Sequence, residues 1–140
     1  MLNYTNAITE EKSYSGLQMK EIKPVMKLII RGKKREFLSA IGKSLNLLLP
    51  SEANTSSRSD KLTALWLSPD EWMVYSNETI NSESNEYETE NLLNKNISKT
   101  NLGAVTNVTD QFVLINIKGD KIFDLFETGS PFNFNDFRYK

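Results

Sequence analysis

Residues 62–75 read Leu-Thr-Ala-Leu-Trp-Leu-Ser-Pro-Asp-Glu-Trp-Met-Val-Tyr, two bulky apolar runs split by a proline turn. Leu62–Leu67 and Trp72–Tyr75 each have the aliphatic and aromatic content of a strand. Ser68-Pro69-Asp70-Glu71 suits a type I turn, because proline pre-sets φ near –65° at the second position and Ser68 and Asp70 can bond nearby backbone. The centre of the chain is therefore a tight hairpin, and it carries both tryptophans, Trp66 and Trp72.

What the chain lacks narrows its chemistry. It has no cysteine and no histidine. Disulfides, Cys/His zinc sites, thiol nucleophiles and Ser-His-Asp arrangements are all excluded, as is the usual proton shuttle near neutral pH. Flavin cannot be attached to it through His or Cys. The six glycines are scattered, so neither a G-x-G-x-x-G fingerprint nor a P-loop can be written. A net charge of –1 gives no basic footprint for nucleic acid. No apolar run reaches the roughly 20 residues that span a bilayer, and the N-terminus has no signal-peptide pattern. The expectation is a cytoplasmic protein without redox or nucleotide chemistry of its own.

At 140 residues the chain can bury a core. Residues 1–24 show no period and read as a mobile N-terminal arm ending at Pro24, with residues 25–140 as one domain. Val25–Ile30 is a short strand. Phe37, Ile41, Leu45 and Leu48 then recur at helical spacing within Lys33–Leu48, and Pro50 stops the helix. The cluster Arg31, Lys33, Lys34 and Arg35 reads as a solvated helix start that can also meet an acidic partner. After a polar loop and the hairpin, an acidic stretch leads to a helix near Tyr87–Ile97, with Leu92, Leu93 and Ile97 as its apolar side. Gly103–Val108 and the alternating Phe112–Lys118 are strands. Gly119-Asp120 opens a last helix, expected to bury Ile122, Phe123, Leu125 and Phe126 and to end at Gly129. The predicted class is α+β: a ferredoxin-like βαββαβ unit with helices on one face, followed by a partial second unit.

Three patches in this order resemble one family. They are Leu28-Ile29-Ile30-Arg31-Gly32 leading to Leu49-Pro50, the string Leu65-Trp66-Leu67-Ser68-Pro69-Asp70-Glu71-Trp72, and the stretch Ala104–Phe137. In the last, the corresponding residues are Asn107, Thr109-Asp110, Gly119, Leu125-Phe126 and Ser130-Pro131-Phe132-Asn133-Phe134. Together they resemble the gamma subunit of heterotetrameric sarcosine oxidase over about residues 25–137. The chain departs from that pattern at Asn107 and Asn133, where aspartate is usual, at Ser68, where glycine is frequent, and at Asp120, where proline is common. The family also continues some tens of residues further.

The resemblance implies a fold related to the folate-binding aminomethyltransferases. It also implies membership of an αβγδ complex that oxidatively demethylates sarcosine to glycine and hydrogen peroxide, passing the methylene unit to tetrahydrofolate. FAD, FMN, NAD, zinc and tetrahydrofolate would then sit on the partner alpha, beta and delta subunits, and this chain would be non-catalytic. The alternatives are the corresponding subunit of an N-methylglutamate dehydrogenase complex and a stand-alone folate-binding aminomethyltransferase-like protein. No catalytic, cofactor-binding or metal-binding residue is assigned. The candidate interface residues are Trp66, Asp70, Glu71, Trp72, Phe132, Phe134 and Phe137. The tryptophans could stack on a pterin, but core or interface roles suit them better. Asp70 and Glu71, adjacent in a turn, point apart and suit turn or interface contacts rather than acid/base work.

Overall fold

A computed structural model describes residues 5–80, 87–97 and 99–135. In chain order the elements are β1 (Lys12–Tyr14), β2 (Leu17–Glu21), β3 (Lys27–Gly32), α1 (Arg35–Leu45), β4 (Ser56–Arg58) and β5 (Leu62–Ser68). β6 (Glu71–Ser76), α2 (Glu88–Ile97), β7 (Gly103–Asn107), β8 (Ile115–Lys118) and α3 (Ile122–Gly129) follow. The class is α+β, as the periodicity implies. Among the described residues every strand pairing is antiparallel, in two sheets ordered β1-β2-β8 and β4-β5-β6-β3-β7. The chain divides into two compact units, one of residues 23–112 and one joining residues 1–22 with 113–140.

The larger unit is built round β3, which pairs β6 on one side and β7 on the other. Leu28 and Ile30 alternate onto the core face and are fully buried. They meet Phe37, Ile41 and Leu45, which lie one above another on α1 at four-residue intervals. The helix stops at Asn46, which takes the left-handed conformation (φ 48°) that asparagine tolerates better than most residues. This end comes four residues before Pro50, so Leu48, expected on the apolar stripe, falls in the linker and is 83% exposed. Leu93 and Ile97 of α2 complete the core, while Leu92 faces solvent. Asn96 Nδ2 donates to Ser44 Oγ at 2.8 Å and ties α2 to α1.

Gly32 and Gly103 stand opposite each other in the β3–β7 register. The ring of Phe37 occupies the space their missing side chains leave: a Cβ on either would come within 2.4 Å of it. Gly42, by contrast, would keep ordinary contact if given a Cβ, so it marks no tight crossing.

A charge lies inside this unit that the sequence reading did not find. Lys27, at the start of β3, is 2% exposed, and its Nζ donates to the carbonyls of Val25 (2.9 Å) and Thr109 (3.0 Å). Its backbone N–H donates to Thr109 Oγ1 at 3.0 Å, so one residue pins the turn after β7 at two points. Desolvation pulls the Lys27 pKa below 10.5, and Asp110 opposes part of that pull. The unfolded chain therefore holds this proton more firmly between the lowered value and 10.5. Stability contributed by this group should rise with pH across that window. Urea midpoints measured from pH 8 to 10.5 should climb more in the native chain than in Lys27→Met.

The smaller unit differs most from expectation. Residues 1–24, expected as an irregular arm, hold the β1–β2 hairpin, closed by Ser15 and Gly16 with Gly16 at φ 78°. Strand β8 then joins β2 from almost a hundred residues away, with Glu21 opposite Ile115 and Gln18 opposite Lys118. The expected Phe112–Lys118 strand shrinks to Ile115–Lys118, leaving Val113 exposed. Gly119 (φ 135°) is forced, since a Cβ there would stand 2.1 Å from the Gly16 carbonyl oxygen. None of the residues of α3 is buried, although Ile122, Phe123, Leu125 and Phe126 were expected to be.

Candidate functional site

The β5–β6 turn gathers most of the candidate residues. Ser68 and Glu71 pair across it, leaving only Pro69 and Asp70 as the loop, with a register shift between Trp66 and Ser68. Ser68 Oγ donates to Asp70 Oδ1 at 3.0 Å, the local bond the turn chemistry predicts. The Gly32 N–H donates to the Asp70 carbonyl at 3.0 Å, which seats the turn beside the end of β3.

That seating brings together two charge groups the sequence shows far apart. Lys33 Nζ lies 3.5 Å from Asp70 Oδ2, and Arg31 Nε lies 3.9 Å from Glu71 Oε1. The bond from Ser68, with the nearby Lys33 and Arg31 charges, holds the Asp70 carboxyl below its usual range, against a smaller opposing effect of desolvation. A carboxylate held ionised in a solvated ion pair is unsuited to donating a proton near neutrality. Arg31 and Lys33 are well exposed, so solvent screens both pairs and neither adds much to folding. The turn presents a charged, hydrated knob of both signs.

The two tryptophans stand opposite each other on β5 and β6 but differ in environment. Trp72 is 3% exposed, and its Nε1–H donates to the Pro50 carbonyl at 2.8 Å. It fastens the linker after α1 to the sheet and offers little surface to a partner. Trp66 is half-buried. The aromatic candidates belong to the smaller unit, where the Phe134 ring is ringed by Phe132 (5.1 Å), Phe126 (5.6 Å) and Phe123 (6.3 Å) between centroids. Phe132 is 49% exposed and Phe134 half-buried. Phe137 lies outside the described residues.

Among the described residues no three His, Cys, Asp or Glu side chains converge as a metal site. None of the described helices is long and apolar enough to cross a membrane. A groove along the outer face of α1, between Arg35, Glu36, Ser39, Ala40 and Lys43, is open to solvent. Asn107 departs from the family pattern and opens the Asn107-Val108-Thr109-Asp110 stretch, which the sequence suggests as a corner between two strands. Its Nδ2 donates to Glu90 Oε2 and its Oδ1 accepts from the Thr109 N–H, both at 3.0 Å, so it shapes the corner after β7.

The family pattern decides the relationship. The family described as SoxG, sarcosine oxidase gamma subunit, matches residues 31–137. This chain belongs to that family. No curated protein matches the chain. Among solved structures it is similar to a chain of the heterotetrameric sarcosine oxidase from Corynebacterium sp. U-96 in complex with pyrrole 2-carboxylate. The TM-score is 0.74 at 14% identity, over 89% of this chain and 60% of that one. At that identity the likeness speaks for the fold, and the chain spans about three fifths of the length of its structural relative.

Proposed function

We propose that this chain is a non-catalytic gamma subunit of a heterotetrameric sarcosine oxidase, acting as a structural and interaction module in the cytoplasm. The match of the gamma-subunit family over residues 31–137 carries this reading. The chemistry of the chain is consistent with it. The two acids most suited to a catalytic role are engaged with Lys33 and Arg31, and the sequence holds no histidine or cysteine.

On this reading the partners are the alpha, beta and delta subunits, which carry FAD, FMN, NAD, zinc and tetrahydrofolate. The complex oxidises sarcosine to glycine and hydrogen peroxide and hands its methylene unit to tetrahydrofolate. The larger unit is read as ferredoxin-like, supported by its β3-α1-β5-β6-α2-β7 succession and the strand order β5-β6-β3-β7. The smaller unit is read as a partial second one, and both as kin to the folate-binding aminomethyltransferase fold. The β1–β2 hairpin, paired with β8, belongs with the rest of the chain to the body of the subunit. Trp66 and the Asp70–Glu71 knob form one contact, braced from beneath by Trp72; Phe132, Phe134 and Phe137 form another.

The test is co-expression of the tagged chain with its genomic neighbours. A yellow co-purified complex that consumes oxygen when sarcosine is added supports the proposal. A colourless monomer that binds folate unaided contradicts it.

A further inference from the structure

The smaller unit is assembled from two distant pieces of chain. Residues 1–22 and 113–140 lie on either side of the 90 residues (113 minus 23) that form the larger unit. Its β2–β8 ladder begins where the Ile22 N–H donates to the Leu114 carbonyl, and runs on through Lys20–Asn116 and Gln18–Lys118. If nothing between them is folded, bringing Ile22 and Leu114 together closes a loop of 91 residues, 23 to 113. With the larger unit folded, the Val108 N–H already donates to the Lys27 carbonyl. The loose connections are then residues 23–26 and 109–113, nine in all. Closure probability falls roughly as the three-halves power of loop length, so a folded larger unit favours the pairing about thirtyfold.

Both connections are pinned where they leave the larger unit, and one side chain reaches both. On the outgoing connection, the Pro24 carbonyl accepts from the Ile80 N–H at 2.7 Å and the Met26 carbonyl from the Ser76 N–H at 2.9 Å. On the returning one, the Gln111 N–H donates to the Val108 carbonyl and the Thr109 N–H to Asn107 Oδ1, both at 3.0 Å. The Val25 carbonyl, between Pro24 and Met26, accepts from the Lys27 ammonium, which also donates to the Thr109 carbonyl. Lys27 is 2% exposed, so these carbonyls stand in for water around its charge. Asp110, on the returning connection, adds an attractive charge.

We infer that the Lys27 ammonium is a latch on the smaller unit: by tying the outgoing connection to the returning one, it holds the two halves of the β2–β8 ladder within pairing reach. With the latch closed, the loose residues are 23–24 and 110–113, six in all. Removing the ammonium leaves the Val25 and Thr109 carbonyls buried without this donor, which is costly. Both carbonyls lie on the connections, so they regain water when these peel from the start of β3. Once the Lys27–Val108 bond opens too, residues 23–27 and 108–113 are loose, eleven in all. By the same power law, six loose residues becoming eleven weakens the ladder about 2.5-fold. The effect appears in the smaller unit, although Lys27 and both its carbonyl partners belong to the larger one.

The test is amide hydrogen exchange of the full chain, native and Lys27→Met. The amides of Lys20, Ile22 and Asn116, which bridge β2 and β8, should exchange faster in the variant by that factor. Those of Ile30 and Trp72, paired across β3 and β6, should stay near their native rates. An equal change in both sets makes Lys27 a general stabiliser and overturns the latch, as does an unchanged ladder. Should Lys27→Met fail to fold, the native chain decides. In rising urea its three ladder amides should lose protection no later than Ile30 and Trp72. A ladder still protected where those two exchange freely needs no folded larger unit to hold it, and overturns the inference.

Discussion

Replacing Phe37 by alanine should destabilise the larger unit by about 3–5 kcal/mol, the usual cost of removing a buried aromatic ring. The size follows from where the ring sits. Phe37 is 0% exposed, and two glycines on paired strands have given up side chains to admit it. Neighbours cannot close that gap readily, because the β3–β7 ladder holds the two glycine backbones at fixed spacing. The loss is read as a fall in the urea midpoint at unchanged slope. A Phe37→Ala chain within about 1 kcal/mol of the native one would show that the ring is not the wedge between helix and sheet.

Adding a methyl group at Gly103 should be nearly as damaging, at about 3 kcal/mol, the upper end of what overpacking costs. The new Cβ would stand 2.4 Å from the Arg31 carbonyl oxygen as well as from the Phe37 ring. Gly32→Ala meets the ring alone among its nearest neighbours. The two glycines therefore separate in a double-mutant cycle. Phe37→Ala should relieve much of the Gly32→Ala penalty, because the atoms nearest the new methyl have gone. It should relieve little of the Gly103→Ala penalty, because a backbone carbonyl cannot move without breaking the ladder. Equal relief at both positions would show that the carbonyl gives way.

These two glycines mark where sequence reasoning stopped. The helical spacing of Phe37, Ile41 and Leu45, and the Leu62–Tyr75 hairpin, are local patterns, so both were legible. The helix end was not, because Asn46 terminates α1 by turning left-handed, a choice that a downstream proline masks. β1, β2 and β4 are three to five residues long, too short to show a period, and they exist through their ladders with distant strands. Lys27 reads as a surface residue until the Val25 and Thr109 carbonyls are seen round its ammonium group.

The candidate site was legible in parts rather than as a whole. Asp70 and Glu71 were picked out as turn acids, and Arg31 and Lys33 as a basic cluster, but their union depends on the β3–β6 register. Trp66 and Trp72 look alike in sequence. Only the Pro50 carbonyl, reached by one indole, distinguishes the core residue from its half-buried neighbour. Phe123 and Phe126 were expected in a core; they surround Phe134 instead, on a helix that buries none of its residues.

The proposed place of this chain in a larger assembly is tested most directly by the native mass of whatever a tag on it retrieves when it is expressed together with the alpha, beta and delta subunits. A flavin-coloured species holding one copy of each is the expected result. Recovery of this chain by itself, with the other three assembling and turning over sarcosine without it, would contradict that role.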